Sequence, residues 1–330
     1  MFRRLLSIGA VMLIAVTFAL PAQAQVEGSG TLKGKAYFDL ARGLSDANED
    51  MLTFNFRRIY FTYNLEMSEN ITGRFRTDIE DIGGYLTTYM KHAYVNWSVN
   101  QQVSLRAGQQ GTILFGTIED IWAYRQVEKT MEDLFKIRSS ADFGLSGSIK
   151  AGGMATIKGM VSNGEGYHDP DDDAYRKAME VQGILTPIDG LTVSAHFGLN
   201  GYDEDNDPDT TNDQEDITTM DLGVGYEGEA FAVGGSFVNQ SNYRGNTDQD
   251  ATGFWGFGRY SLMDSPISLL GAYYSFDPNT DLDDDETSYF LVGLDYMPGK
   301  GLSIIPNFRS ETVGNADAEN SFFVTFYWKW

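Results

Sequence analysis

The residues predict an all-β fold, a transmembrane antiparallel β-barrel of about sixteen strands. Three observations point to it. Apolar and polar side chains alternate at period two in segments of roughly ten residues, the length of a tilted strand crossing a bilayer. Short turns take turns with long polar connections. The chain ends on an aromatic strand, Phe326-Tyr327-Trp328-Lys329-Trp330.

The alternation is cleanest in the last segment. Phe322, Val324, Phe326, Trp328 and Trp330 share one face; Ser321, Thr325 and Lys329 lie on the other, with Phe323 and Tyr327. Over 70–80, Ile71, Phe75 and Ile79 alternate with Thr72, Arg74, Arg76, Asp78 and Glu80. Over 191–200, Leu191, Val193, Ala195, Phe197 and Leu199 oppose Thr192, Ser194, His196 and Asn200. A strand with lipid on one side and water on the other needs this pattern, because successive side chains point to opposite faces. Reading onward predicts strands near 31–40, 53–67, 70–81, 86–98, 102–110, 139–150, 153–162 and 174–186. A second set falls near 190–200, 215–227, 229–239, 250–263, 267–276, 286–298, 301–311 and 320–330. The total is even, as in single-chain bacterial barrels. The strands near 250–263 and 286–298 alternate poorly.

The connections Met67-Ser68-Glu69-Asn70, Thr186-Pro187-Ile188-Asp189-Gly190 and Pro298-Gly299-Lys300-Gly301 are short, and those between them long and polar. Short periplasmic turns and long outer loops are expected of a barrel with both termini in the periplasm. The long loops hold acid at Asp169 to Asp173, Asp203 to Asp216 and Asp281 to Glu286. A sandwich or propeller also has short strands, but needs neither strict loop alternation nor an aromatic last strand.

The N-terminus fits export. Arg3 and Arg4 precede an apolar run from Leu5 to Leu20, then Pro21 and Ala22-Gln23-Ala24, a small-x-small cleavage site. The expectation is a cleaved secretory signal over 1–24, leaving 25–330 as one outer-membrane barrel domain. An N-terminal anchor is the alternative; the run is short for a span and ends at the cleavage site.

Composition narrows the function. With no cysteine, disulfide stapling, thiol chemistry, a Cys-ligated metal and a lipidated Cys are all excluded. The chain has 36 Gly, 13% aromatic residues and a mean hydropathy of −0.30. After residue 25 no apolar run reaches helical spanning length. The formal charge is −23, two units more negative once Arg3 and Arg4 leave with the signal. Nucleic acid is therefore not an expected partner, since phosphate binding needs clustered Lys and Arg.

Several segments together resemble the porin superfamily of Gram-negative bacteria, nearest the group named for phosphate-selective porins. They are Arg57-Arg58-Ile59-Tyr60 through Asn70-Ile71-Thr72-Gly73-Arg74-Phe75-Arg76, Lys91-His92-Ala93-Tyr94-Val95-Asn96-Trp97, Gly108-Gln109-Gln110-Gly111 and Tyr274-Ser275-Phe276-Asp277-Pro278. The terminal strand, with Phe326, Trp328 and Trp330, resembles the signal read by the barrel-assembly machinery. The resemblance implies a homotrimer whose third loop folds inward to narrow the channel, and the connection 111–138 stands where that loop belongs. It implies lipid and lipopolysaccharide as surroundings, with small solutes and ions as cargo. One departure matters: phosphate-selective members carry a lysine cluster in an outer loop, and here the fifth outer loop reads Asp203-Glu204-Asp205-Asn206-Asp207-Pro208-Asp209. Phosphate selectivity is not carried over.

If apolar positions face lipid, the opposite parity faces the lumen. Lumen-side bases are then Lys33, Lys35, Arg58, Arg74, Arg76, Arg106, Lys150, Lys158, Arg176, Arg259, Arg309 and Lys329, and acids are Asp39, Glu66, Asp78, Glu80, Asp142, Glu180, Asp221 and Asp295. The wall is mildly basic while the chain is acidic. Arg58, Arg74, Arg76 and Arg106 fall on neighbouring strands at similar depth, and the inward loop offers Glu119, Asp120 and Arg125, with Glu128 and Lys129. One reading sets these arginines against Glu119 and Asp120 across a constriction, where charge selects ions. The other is that lumen charges pair with one another and keep the channel wet. Tyr37, Tyr60 and Tyr94 also have lumen parity, on separate strands. Trp97, Tyr226, Tyr260, Trp328 and Trp330 fit interfacial girdles.

No catalytic, metal or cofactor site is expected. Ser194 and His196 share a face without an orienting partner, which is weak for a triad. Asp142-Phe143-Gly144 and Gly223-x-Gly225-x-x-Gly228 match kinase and dinucleotide motifs by letters only, on predicted strands. Asp203, Asp205 and Asp207 begin like a calcium loop, but Pro208 stands where the turn needs Gly and Gln214 where the bidentate Glu belongs.

Overall fold

A computed structural model describes residues 28–168, 175–202 and 215–330. The expected signal peptide, the acid run at 169–173 and the calcium-like stretch from Asp203 to Gln214 lie outside the described residues.

Sixteen antiparallel strands close on themselves, each hydrogen-bonded to its chain neighbours and β1 to β16. They are β1 Ser29–Gly43, β2 Leu52–Glu66, β3 Ile71–Ile82, β4 Tyr85–Ser98, β5 Val103–Gln110, β6 Asp142–Ala151, β7 Ala155–Ser162 and β8 Tyr175–Leu185. Then come β9 Leu191–Tyr202, β10 Ile217–Glu227, β11 Phe231–Ser241, β12 Ala251–Ser261, β13 Ile267–Asp277, β14 Thr287–Gly299, β15 Leu302–Val313 and β16 Glu319–Lys329. Closure leaves no sheet edge, the condition for spanning lipid with strands. Phe54, Phe75, Leu145, Val181, Leu222, Phe254 and Val292 point outward and are exposed, while Thr62, Asp78, Gln182, Ser194, His196 and Thr325 point inward and are buried. Phe322, Trp328 and Trp330 are exposed on the outer face of β16, and Phe38 stacks on Phe326 at 5.1 Å across the closing seam.

Three expectations need correction. The β3–β4 connection is not long: Gly83 and Gly84, both at positive φ, make a two-residue turn in which Asp81 accepts the Gly84 N–H. Glycine tolerates that backbone at both positions, so the hairpin closes without a loop. The single lumen parity also fails within β2 and β4, where it bears on charged residues. The β1–β2 register shifts between Tyr37 and Phe38, leaving Arg57 as the extra residue, and the β3–β4 register shifts at Arg76/Thr77, leaving Lys91 as the extra one. Each bulge turns two consecutive side chains inward, so Arg57 joins Arg58 and Lys91 joins His92.

The third concerns the interior, which is not polar throughout. The connection 111–141 folds into the lumen and carries two short helices, α1 Thr117–Trp122 and α2 Met131–Leu134. Its Ile118, Ile121, Trp122, Val127 and Met131 pack on Trp255, Phe257, Tyr274, Leu291 and Ile305 of the β12–β15 wall in one apolar core. Each large side chain buried this way contributes about 1.5–3 kcal/mol. β12 and β14 therefore carry apolar residues on both faces, which is why they alternate poorly.

Candidate functional site: the charged space beside the inward loop

The loop is fixed to one side of the barrel by complementary surfaces. α1 lies on β9–β12. Gly223 and Gly225 make room for it: a Cβ at Gly223 would stand 2.6 Å from Ile118 Cγ1, and one at Gly225 2.6 Å from Ile121 Cδ1. The glycine pair that matched a dinucleotide motif by letters is thus a seat for a helix. Trp122 is fully buried and donates from Nε1 to the Glu128 carbonyl at 2.9 Å.

Polar anchors complete the fixing. Buried Glu128 accepts a hydrogen bond from Tyr289 Oη at 2.9 Å and pairs with Arg309 at 3.2 Å. Burial opposes its charge, but Arg309 and Arg57 outweigh that and hold the carboxyl below its usual range. Arg57 donates to the carbonyls of Gln126 (3.1 Å) and Val127 (2.8 Å) and pairs with Asp39. Arg259 donates to the Ile121 carbonyl, and Tyr274 to that of Lys129. At the loop's return, Arg138 pairs with Asp142 (2.9 Å) and Glu180 (3.1 Å) and donates to the Gly164 carbonyl.

Seated there, the loop leaves open space along the opposite wall. The central cavity, about 490 Å³, is lined by Lys35, Arg74, Arg76 and Lys91 from the barrel and Glu119, Asp120 and Arg125 from the loop. Arg74 donates to Asn64 and Arg76 to Thr62, at 2.8 and 2.9 Å. Among the described residues, no carboxylate lies within ion-pairing distance of Lys35, Arg74 or Arg76. Tyr60 backs this patch, with Lys35 Nζ 5.0 Å and Arg76 Cζ 5.5 Å from its ring centroid. Tyr37 and Tyr60, expected apart on separate strands, are 6.5 Å from each other.

The loop side is more self-compensated. Arg125 pairs with Glu119 at 2.6 Å and with Asp133. Burial works against that guanidinium, but Glu119 and Asp133 keep its pKa well above normal. Asp120 makes no such pair among the described residues; the protein around it, then the charge of Glu119, raise its carboxyl above the ordinary range, with Lys158 and Lys35 opposing.

Not all the predicted site residues meet. Arg74, Arg76, Glu119, Asp120 and Arg125 share the central cavity. Arg58 does not: it stands opposite Glu80, four residues beyond Arg76 along β3, and pairs with Asp78 at 3.1 Å and with Glu80. It lines a second cavity toward the long-loop end with Lys136, Arg138, Tyr167 and His168. Arg106 lines a third, with Lys158. Glu128, which the sequence offers beside Glu119 and Asp120, is an anchor of the loop and not a lining of the central cavity. Arg57 and Lys91 are not among the sequence-predicted site residues. Arg57 and Lys91 could have been found: outward apolar positions run even through Leu52 and Phe54, then odd from Phe61; they run even through Leu86 and Met90, then odd from Val95. A phase change inside a strand marks a bulge. Ser194 and His196 are both buried on the lumen face, and His196 approaches Glu180 at 3.6 Å.

With this geometry in hand, comparison with known proteins identifies the family. A family model described as Gram-negative porin matches residues 9–326. The outer-membrane channel DcaP of Acinetobacter baumannii superposes with a TM-score of 0.68 at 10% identity, covering 93% of this chain and 99% of that one. OmpF of Salmonella typhi gives 0.67 at 11% identity, covering 92% and 98%. The anion-selective porin from Comamonas acidovorans gives 0.66 at 11%, covering 92% and 100%. No curated protein sequence matches the chain. At these identities the superpositions establish the fold, and the family model establishes the membership. The chain belongs to the Gram-negative porins and is a sixteen-stranded channel protein of the outer membrane.

Proposed function

We propose that the protein is a passive diffusion channel for small hydrophilic solutes and ions, biased toward anions where the inward loop narrows the lumen. The observation that carries this is the imbalance across the central cavity. Among the described residues, Lys35, Arg74 and Arg76 are without ion-pair partners on one side, while on the other Glu119 is engaged by Arg125 and Asp120 makes no ion pair. A unit charge about 4 Å from a passing ion is worth about 1 kcal/mol in water-like surroundings, roughly a fivefold change in local ion occupancy, and low-dielectric walls strengthen the field. The test is the reversal potential across a salt gradient for Arg74→Ala and Arg76→Ala. Each should shift anion preference toward neutrality; unchanged selectivity and conductance would overturn the reading.

The apolar seating of the loop favours an open channel over a plugged structural barrel, since the loop's core lies on one wall only. The wider assignment follows the family. It comprises a cleaved signal over 1–24 with one barrel over 25–330, homotrimers, recognition of Phe326, Trp328 and Trp330 by the assembly machinery, and contact with lipopolysaccharide. We infer no catalytic role: Ser194 and His196 face a packed interior rather than substrate.

A further inference from the structure

The third cavity, toward the short-turn end, has a composition that channel wetting alone does not require. It is about 270 Å³ and lies on the lumen face of β4–β7 beneath the start of the inward loop. Two cross-strand rows build its floor. Asn96, Arg106 and Ser146 are consecutive register partners, as are Ser104, Ser148 and Lys158. Both rows are hydrogen-bond donors, and no acid lines the cavity. Its two cations are without ion-pair partners among the described residues; Lys158 donates to Gln182 Oε1 at 3.3 Å, and the Asp120 charge acts on it from beyond ion-pairing distance. The Arg106 guanidinium lies over the Tyr94 ring at 4.4 Å, and its enclosed Nε has no hydrogen-bond partner. One face is thereby covered, and the two terminal Nη groups, without a hydrogen bond among the described residues, are left to bind. Ser146 and Thr112 are committed to Gln110 and the Ser139 carbonyl, whereas Asn96, Ser104 and Ser148 have no such commitment.

We propose that this pocket is a binding subsite for a small oxyanion, a solute bearing a carboxylate or phosphate group. Arg106 supplies the planar fork that matches two oxygens of either group, Lys158 a mobile point charge, and Ser104, Ser148 and Asn96 neutral donors. At about 30 Å³ per water, the cavity holds an oxyanion of several heavy atoms with part of its hydration. It shares Gly111, Thr112 and Phe115 with the central cavity, so a solute passing Arg74 and Arg76 reaches it directly. The pocket gives the anion-biased channel a saturable step for one chemical class, and rests on that reading.

The experiment is potassium chloride current through the full-length protein in planar bilayers, titrated separately with sodium phosphate and with disodium succinate. Saturable reduction of the current by either supports the subsite; phosphate alone would mark it as tetrahedral-oxyanion selective, succinate alone as carboxylate selective. Arg106→Gln and Lys158→Gln should each raise the half-blocking concentration about tenfold, the loss of one charge-assisted contact, while chloride conductance persists. Lys158 is not part of the Tyr94 stack, so its variant tests the site even if Arg106→Gln fails to assemble. A current that declines with neither probe, or half-blocking concentrations unchanged in both variants, would overturn the subsite while leaving the channel intact. No chloride conductance before any probe is added would instead defeat the channel reading, and the subsite with it.

Discussion

Adding a side chain to the glycine seat of the inward loop should unfasten the loop without unfolding the barrel. At Gly223 a Cβ meets both Ile118 Cγ1 at 2.6 Å and Ser194 Oγ at 2.7 Å; at Gly225 it meets chiefly the tip of Ile121, Cδ1 at 2.6 Å. Carbon atoms pack optimally at about 3.5–4.0 Å, so the contact must open by about 1 Å, through a shift of α1 at Gly223 and of the Ile121 side-chain tip at Gly225. Forcing extra carbon into a packed site costs about 1–3 kcal/mol. Gly223→Val belongs near the top of that range because it is pressed from two sides, and Gly225→Val nearer the bottom because the Ile121 tip can swing away. β10 pairs with β9 and β11 through its backbone, which valine leaves intact, so the barrel should still assemble. Limited trypsin digestion reads the loop directly at Arg125, Lys129 and Lys136. In the regime where cleavage follows the opening equilibrium, 1–3 kcal/mol corresponds to cleavage about 5- to 150-fold faster than wild type. Single-channel current should flicker as the freed loop enters the passage. Wild-type cleavage rates and steady current in both variants would refute the seating argument.

Two further outcomes follow from the same geometry. Glu128→Ala leaves Arg309 buried without its partner and frees the Tyr289 hydroxyl. Breaking such a pair costs about 3–5 kcal/mol, and protease protection of the loop should fall accordingly, with Glu128→Gln milder because it retains an acceptor. Acidification gives the third. Asp120 has a raised pKa, so its neutral form is favoured and it loses charge at a higher pH than an ordinary carboxylate near 3.9. Anion preference should therefore increase as pH falls, beginning above that value. Asp120→Asn should start at the higher preference and lose this first step; an identical pH profile in the variant would contradict the assignment.

The barrel was legible because its physics is local. Period-two alternation, turn residues and an aromatic last strand are each visible in windows of about ten residues, and the sixteen strands fell within a few residues of their observed ends. The central cavity was partly legible for the same reason: Arg74 and Arg76 hold lumen parity on a strand with unbroken phase, as Arg106 does for the neighbouring cavity. What was missed depends on contacts distant in sequence. Nothing near Trp255 or Leu291 reveals that a loop more than a hundred residues earlier covers them, so their loss of alternation read as weak strand signal. Gly223 and Gly225 were explicable only once Ile118 and Ile121 stood above them. Arg58 has the right parity but meets Asp78 and Glu80 on the next strand, a pairing that parity does not determine. Arg57 and Lys91 were hidden by bulges, although the phase of their neighbours records the shift.

The central claim is that the space beside the loop conducts and prefers anions. Its most direct test is the reversal potential of the wild-type protein, refolded and reconstituted in a planar bilayer under a potassium chloride gradient. A step-wise conducting channel with chloride more permeant than potassium, the preference falling in Arg74→Ala and Arg76→Ala, is the result predicted by the uncompensated Lys35, Arg74 and Arg76. A cation-selective channel, or an assembled barrel that conducts nothing, would contradict it.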